Sequence, residues 1–197
     1  MREGNVTRER LLDEATKLVQ QKGFGATSVN DMLLAAGIKR GTLYYHFPGK
    51  EDLGLELLER AKVTFLASVD EALSAPTPRE GLARFFDAVL ERHRKKGFTG
   101  GCLFGNTVLE MSDTSSPYAE SMKRLFSEWT GKIEAVLLTG QQAGDFRSDI
   151  SAADLAQVIV STIEGGIMMS RLRKEEGPLK ACLDSLQTFV RVNVLGG

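Results

Sequence analysis

TSVNDMLLAAGIKRGTLYYHFPGK, residues 27–50, is the stretch whose reading decides the fold. Ser28 is placed to cap a helix, and Asp31, three residues on, stands in for the Glu or Gln of a capping box. Val29, Met32 and Leu33 then supply an apolar stripe at helical spacing. Gly37 ends that helix, because it tolerates the left-handed conformation that a sharp turn requires. Ile38 tucks under, and Lys39–His46 forms a second short helix with Leu43 and Phe47 inward. Lys39, Arg40, Thr42, Tyr44, Tyr45 and His46 are left to face outward, and Pro48-Gly49 stops the helix. A helix pair of this size, with a polar-aromatic second member, fits the DNA major groove. The bland alternative is an ordinary helical hairpin with a solvated polar face.

Charge supports the first reading locally. The whole chain has a formal net charge of −1, and residues 1–62 carry ten Lys/Arg against nine Asp/Glu. No acid occurs from Met32 to Lys50, however, where Lys39, Arg40 and Lys50 lie beside His46. A DNA-reading surface needs positive charge where the phosphates are, not a basic protein overall.

At this point the residues carry a family resemblance. The helix-one pattern RxxLLxxAxxLxxxxGF (Arg8–Phe24), the phrase TSVNDMLLAAGI and above all KRGTLYYHFPGKEDL resemble the N-terminal DNA-binding domain of TetR/AcrR-type transcriptional regulators. The match covers about residues 4–64, with the motif at 27–47; Leu33 departs from it, standing where the family usually has Ala. The resemblance implies sequence-specific duplex DNA binding, and roles can be assigned as expectations. Thr27 and Ser28, at the start of the first motif helix, are placed for phosphate contacts. Lys39 and Arg40 are placed for base edges or phosphates, and Gly41 and Thr42 for close approach. Tyr44 and His46 are placed for phosphate; Tyr45 contacts phosphate or packs inward; Lys50 is a plain phosphate anchor.

The rest of the chain sets class and limits. Its 197 residues can hold a small DNA-binding domain, residues 1–50, and a larger helical domain, residues 51–197. The start lacks an apolar run of signal-peptide length, and nowhere do 18 apolar residues run together, so no membrane partner and a cytoplasmic protein are the default. Helix one, about Thr7–Lys22, carries Leu11, Leu12, Ala15, Leu18 and Val19 on one face. Further helices are expected over about 50–73, 79–96, 103–111, 117–143, 152–174 and 179–194, separated by SAPTP, KKGFTGG and SDTSSP breaks. The expectation is an all-α protein of about nine helices: a three-helix helix-turn-helix domain followed by a helical ligand-binding and dimerisation domain. The last two helices are too apolar for a monomer surface. Either they bury inside the domain or, as the resemblance implies, they pair with those of a second copy around Gly165 and Gly166. A recognition helix this short makes few contacts, which favours a homodimer on a palindromic operator.

Enzyme chemistry is not indicated. No Ser/His/Asp grouping occurs, His93 reads as part of a solvated basic run (Arg92–Lys96), and GFTGGCLFG lacks the Gly-Lys-Ser/Thr of a phosphate loop. Two cysteines and two histidines build no metal pattern, and no cofactor is expected. The larger domain is expected instead to bind a small-molecule effector. Its candidate lining is Phe86, Leu90, Cys102, Leu103, Phe104, Asn106, Thr107, Glu110, Phe126, Trp129, Ile133, Glu164 and Met168, a set that equally suits plain core. Glu110 and Glu164, acids on apolar stretches, would suit a cationic or hydroxyl-bearing ligand. Cys102 follows two glycines at a helix start, where the helix dipole favours the thiolate. The phrase GGCLFGN, with VLEMSD after it, also resembles a branch of TetR-type repressors in which some members respond to electrophiles or oxidants. Repression with effector release is therefore the expected mode, with redox sensing through Cys102, or activation on the same scaffold, as alternatives.

Overall fold

The computed structural model of the chain describes residues 3–191. Among the described residues there are nine helices and no strand, only an isolated bridge between Phe146 and Arg191. They are α1 (Glu3–Lys22), α2 (Val29–Ala36), α3 (Arg40–His46), α4 (Lys50–Leu73), α5 (Pro78–Lys95), α6 (Leu103–Met111), α7 (Ser116–Ala143), α8 (Ala152–Arg173) and α9 (Gly177–Phe189). The all-α expectation holds, with the largest boundary shifts at the two ends. The first helix begins four residues earlier than Thr7, and the last ends at Phe189 rather than Val194, which lies outside the described residues. Local chemistry explains most of the stops and starts. Thr77 accepts from Glu80 N at 3.2 Å just before Pro78 opens α5, and Ser151 accepts from Asp154 N at 3.0 Å before α8.

The chain divides into two compact units. The first takes the described part of Met1–Thr64 together with Cys102–Arg124. Its core is Leu11, Leu12, Ala15 and Val19 of α1, Met32 and Leu33 of α2, Leu43 of α3, Phe47, and Leu53, Leu57 and Leu58 of α4, all buried. Each such leucine contributes about 1.5–3 kcal/mol by leaving water. Leu33, the departure from the family pattern, is 8% exposed and so joins this core.

The start of α7 is gripped by the same unit. Tyr118 stacks edge-on against Phe24 with centroids 4.9 Å apart, and its hydroxyl reaches Glu51 O at 3.4 Å. Burial, reinforced by Glu51, Asp52 and Glu110, pushes its phenol above the usual tyrosine range. Gly54 of α4 makes room for that ring, since a Cβ there would lie 1.8 Å from Tyr118 Oη and 2.8 Å from Phe24 Cε1. Gly54→Ala is therefore expected to destabilise the protein by about 1–3 kcal/mol through overpacking, despite alanine's better helix propensity. Urea unfolding should show a lowered midpoint, and adding Tyr118→Phe should recover part of it by deleting the nearest atom.

The second unit is Phe65–Gly101 with the described part of Leu125–Gly197. Phe85, Phe86, Trp129, Ile133, Leu137, Leu155, Ile159, Ile163, Leu179, Leu183 and Leu186 are buried in it. Here one expectation is overturned. His93 is not on a solvated face: it is 6% exposed, because α5 turns this position inward while Arg92, Arg94 and Lys95 remain outside. Burial first, then the charges of Lys96 and Arg92, hold its imidazole down at about 4. The folded pKa lies below the unfolded value, so the unfolded chain binds the extra proton between about pH 6.5 and 4. Stability is complete above that window and is lost as pH falls through it. Between pH 7.5 and 5 this group should remove about 2 kcal/mol. The difference in urea stability between those pH values should shrink by that amount in His93→Leu.

Helices α8 and α9 share one interior and leave a second face outside. Gly166 allows the approach: a Cβ there would meet Leu179 Cδ1 at 3.1 Å and Cys182 Cβ at 3.2 Å. By length and composition alone α8 is apolar enough to cross a membrane, and 44% of its most apolar window is buried in the unit. The outward side keeps Val158, Met168 and Leu172 exposed at helical spacing, with Gly165 facing open space. An open groove of about 550 Å³ lies there, lined in part by Thr162, Gly165, Met169, Pro178 and Ala181.

Candidate nucleic-acid interface

The motif residues build one surface on the first unit. Ser28 caps α2 as its sequence requires: its hydroxyl accepts from Asp31 N at 3.1 Å, and Asp31 Oδ2 accepts from Ser28 N and Oγ, both at 2.8 Å. The Ser28 backbone and hydroxyl bonds hold the Asp31 carboxyl below the usual range, with Lys22 adding slightly. Gly37 sits in the left-handed region at φ 62° and returns the chain to α3, with Ile38 N donating to Leu33 O at 3.1 Å. Leu43 inside α3 is fully buried and Phe47 at its C-cap nearly so, which fixes the opposite face outward.

On that outward face Lys39, Arg40 and Gly41 are exposed, Tyr44 is 50% and Tyr45 83% exposed, and Thr42 and His46 are half-buried. Tyr45 therefore does not pack inward; its ring lies edge-on to His46 with centroids 5.0 Å apart. Arg40 Nη2 donates to Asn30 Oδ1 at 2.6 Å, so α2 aims the guanidinium. Asn30 was missed in the sequence reading; its signal is the exposed helix face it shares with Leu34, one turn on. A Cβ at Gly41 would meet nothing within 4 Å, so no neighbour within the chain requires glycine there.

One expected contact is corrected and a second is constrained. Thr27 is fully buried and its hydroxyl donates to Gly23 O at 2.6 Å, which makes it a staple of the α1–α2 turn rather than a phosphate ligand. Lys50 is half-buried, with its ammonium donating to Phe24 O in the same turn. That bond restrains it as a phosphate anchor.

The effector candidates divide between the units. In the first, Leu103, Phe104 and Thr107 are buried, and Thr107 Oγ1 donates to Leu103 O at 2.8 Å; Cys102 and Asn106 are half-buried. Cys102 caps α6, its Sγ accepting from Gly105 N at 3.5 Å. Glu110 is a correction: its carboxylate accepts from Phe24 N at 2.8 Å and Gly25 N at 2.5 Å, holding the α1–α2 turn instead of facing a ligand. In the second unit Phe86, Trp129 and Ile133 are buried, and Leu90, Phe126 and Glu164 are half-buried. Met168 is the other correction, being 56% exposed along the α8–α9 groove.

Comparison with known proteins follows from this geometry. Residues 11–57 match the family model of bacterial regulatory proteins of the tetR family, and residues 78–186 match the tetracyclin repressor-like C-terminal domain. The chain belongs to the TetR family. Among TetR-family relatives, the transcriptional regulator LmrA of Bacillus subtilis is 31% identical over 185 residues, covering 91% of this chain and 96% of that protein. The transcriptional repressor DhaR of Mycobacterium sp. is 26% identical over 176 residues, covering 87% and 86%. A TetR transcriptional regulator from Chloroflexus aurantiacus superposes with a TM-score of 0.88 at 29% identity, covering 97% of this chain and 99% of that one. This TetR-family chain is thus a DNA-binding transcriptional regulator and not an enzyme.

Proposed function

We propose that this regulator is a cytoplasmic homodimeric repressor that binds a palindromic operator and is released by a small-molecule effector. The observation that carries DNA reading is the exposed face of α3, with Lys39, Arg40, Gly41, Tyr44 and Tyr45 outward over a buried Leu43. Ser28, Thr42 and His46 complete that contact surface. The exposed Val158–Met168–Leu172 stripe beside Gly165 supports pairing of α8 and α9 with a second copy. The similarity to DhaR, a transcriptional repressor, supports that sign of regulation. The effector acts by favouring a head spacing that misses one of two half-sites about 34–36 Å apart. Useful release needs a preference of a few kcal/mol for that state.

Selection from a randomised duplex library, followed by titration of the recovered site across salt, tests this. A palindrome with a steep salt slope is expected. An enriched half-site without symmetry would remove the dimer, and no enrichment would remove operator reading. A second reading stands on Cys102, whose half-buried thiol caps α6: its modification by an electrophile would break that cap. Unchanged derepression by electrophiles in Cys102→Ser cells would exclude it.

A further inference from the structure

Trp129 is the chain's one tryptophan, and it is 2% exposed. Its indole Nε1–H is buried with no hydrogen-bond partner. A buried donor left unmade carries the full cost of its desolvation, and such groups are rare in native folds, so each one calls for a physical reason. The immediate surroundings supply none. Phe65 meets the indole edge to face with centroids 5.0 Å apart, and Phe126 lies tilted at 5.7 Å. A ring face is at best a weak acceptor. On its other side Phe65 carries the Arg92 guanidinium at 5.3 Å, and Arg92 itself donates to Ser68 Oγ. The guanidinium is itself a donor and offers the indole N–H no acceptor.

Both phenylalanines are only half-buried, which leaves the indole one layer beneath the surface of the second unit. Their rings can turn about χ1 and χ2 without breaking a hydrogen bond, unlike a backbone element. A small apolar molecule inserted among Phe65, Phe126 and Trp129 would lose little by leaving water. It would gain most if it brought the acceptor that the indole lacks. Ligand sites are commonly built in this way, as an apolar lining with a few polar groups that fix orientation.

We propose that Trp129 Nε1–H is the polar anchor of the effector site, and that the effector is an apolar molecule bearing a hydrogen-bond acceptor such as a carbonyl or quinone oxygen. This rests on the effector-gated reading above and narrows its chemistry. A hydrocarbon leaves the donor unmade, and an ammonium group offers the indole nothing to donate to. Of the two acids that suited a cationic or hydroxyl-bearing ligand, Glu110 is already committed to the α1–α2 turn.

Acetophenone and cumene test the proposal on the full-length protein, because both carry a phenyl ring and a methyl on the benzylic carbon, and only acetophenone carries an acceptor oxygen there. Titration followed by Trp129 fluorescence, which reports on this site alone, should give saturable binding of acetophenone about tenfold tighter than cumene. The carbonyl infrared band of the bound ketone should shift to lower wavenumber relative to its position in hexane. In Trp129→Phe, calorimetry should find the two ligands equal. The infrared reading on the wild-type protein keeps the test valid if that variant unpacks. Equal affinities in the wild type, an unshifted carbonyl band, or a preference that survives in folded Trp129→Phe would each overturn the donor's role. Equal, measurable binding of both would leave an apolar effector site standing without the anchor. Binding of neither would remove the anchor and the apolar site together.

Discussion

Replacing Glu110 by Ala is expected to lower affinity for the selected operator about tenfold while leaving the helical content intact. The carboxylate reaches from α6 to two successive backbone donors, Phe24 N and Gly25 N, in the turn that enters α2. Phe24 O in that turn is held by Lys50 from α4, and Thr27 closes it onto Gly23. Gly23, at φ 87°, leaves room for the acid, since a Cβ there would come within 2.7 Å of Glu110 Oε2. Hydrogen bonds to a charged group contribute about 1.5–3 kcal/mol each when shielded. These are partly exposed, so about 2 kcal/mol for the pair is the fair figure. For a chain of this length that loss lowers the melting temperature by about 4–8 °C. The turn sets how α2 enters beneath α3, so loosening it spreads the orientation of the reading face and costs DNA affinity as well as stability. Hydrogen exchange separates this from a general unfolding effect: the Phe24 and Gly25 amides should lose protection while those in the middle of α1 keep theirs. Glu110→Gln retains one acceptor oxygen but turns an amide N–H₂ toward a backbone donor, so it should fall between wild type and alanine. Wild-type exchange at both amides, with undiminished operator binding, would show that the carboxylate does not order the turn.

The DNA-reading motif was largely legible in the sequence because its determinants are local. Ser28 with Asp31, Gly37 and the Leu43/Phe47 pair lie within one or two turns of the features they fix, and the capping box and the left-handed glycine form as the residue types require. Long-range partners were not legible. Glu110 lies 86 residues from Phe24, and nothing in LFGNTVLEM distinguishes an acid that holds a distant turn from one that lines a pocket. His93 failed for a related reason: it sits among four basic residues, and only its phase on α5, set by Phe85 and Phe86, turns it inward. Thr27 reads as a helix-start contact, yet the Gly23 carbonyl one turn back claims its hydroxyl. The small residues of α8 divide a role that the sequence assigned jointly. Gly166 admits α9 of the same chain, and Gly165 faces outward.

Arg40→Ala should reduce the ratio of affinities for the selected operator and for random duplex more than any other single change on α3. The guanidinium leaves the first turn of the recognition helix, and Asn30 of α2 holds it at 2.6 Å in the free protein. Pre-orientation of this kind lowers the ordering cost of a bidentate contact. One such contact with guanine discriminates by about 1–3 kcal/mol, and a dimer makes it twice. The expected loss in specific affinity is therefore from about thirtyfold upward, with random-duplex affinity falling only by the phosphate attraction of one charge per head. Lys39→Ala supplies the contrast, since a phosphate contact weakens both duplexes alike and flattens the salt dependence by about one unit per head. Gly41→Ala supplies the control for proximity. The added methyl meets nothing within 4 Å in the protein, so stability should hold or rise by about 1 kcal/mol from helix propensity. A fall in operator affinity in that variant can then come only from the DNA side of the helix. If Arg40→Ala instead lowers both affinities by the same factor, Arg40 contacts phosphate, and the base-reading residues lie among Thr42, Tyr44 and Tyr45.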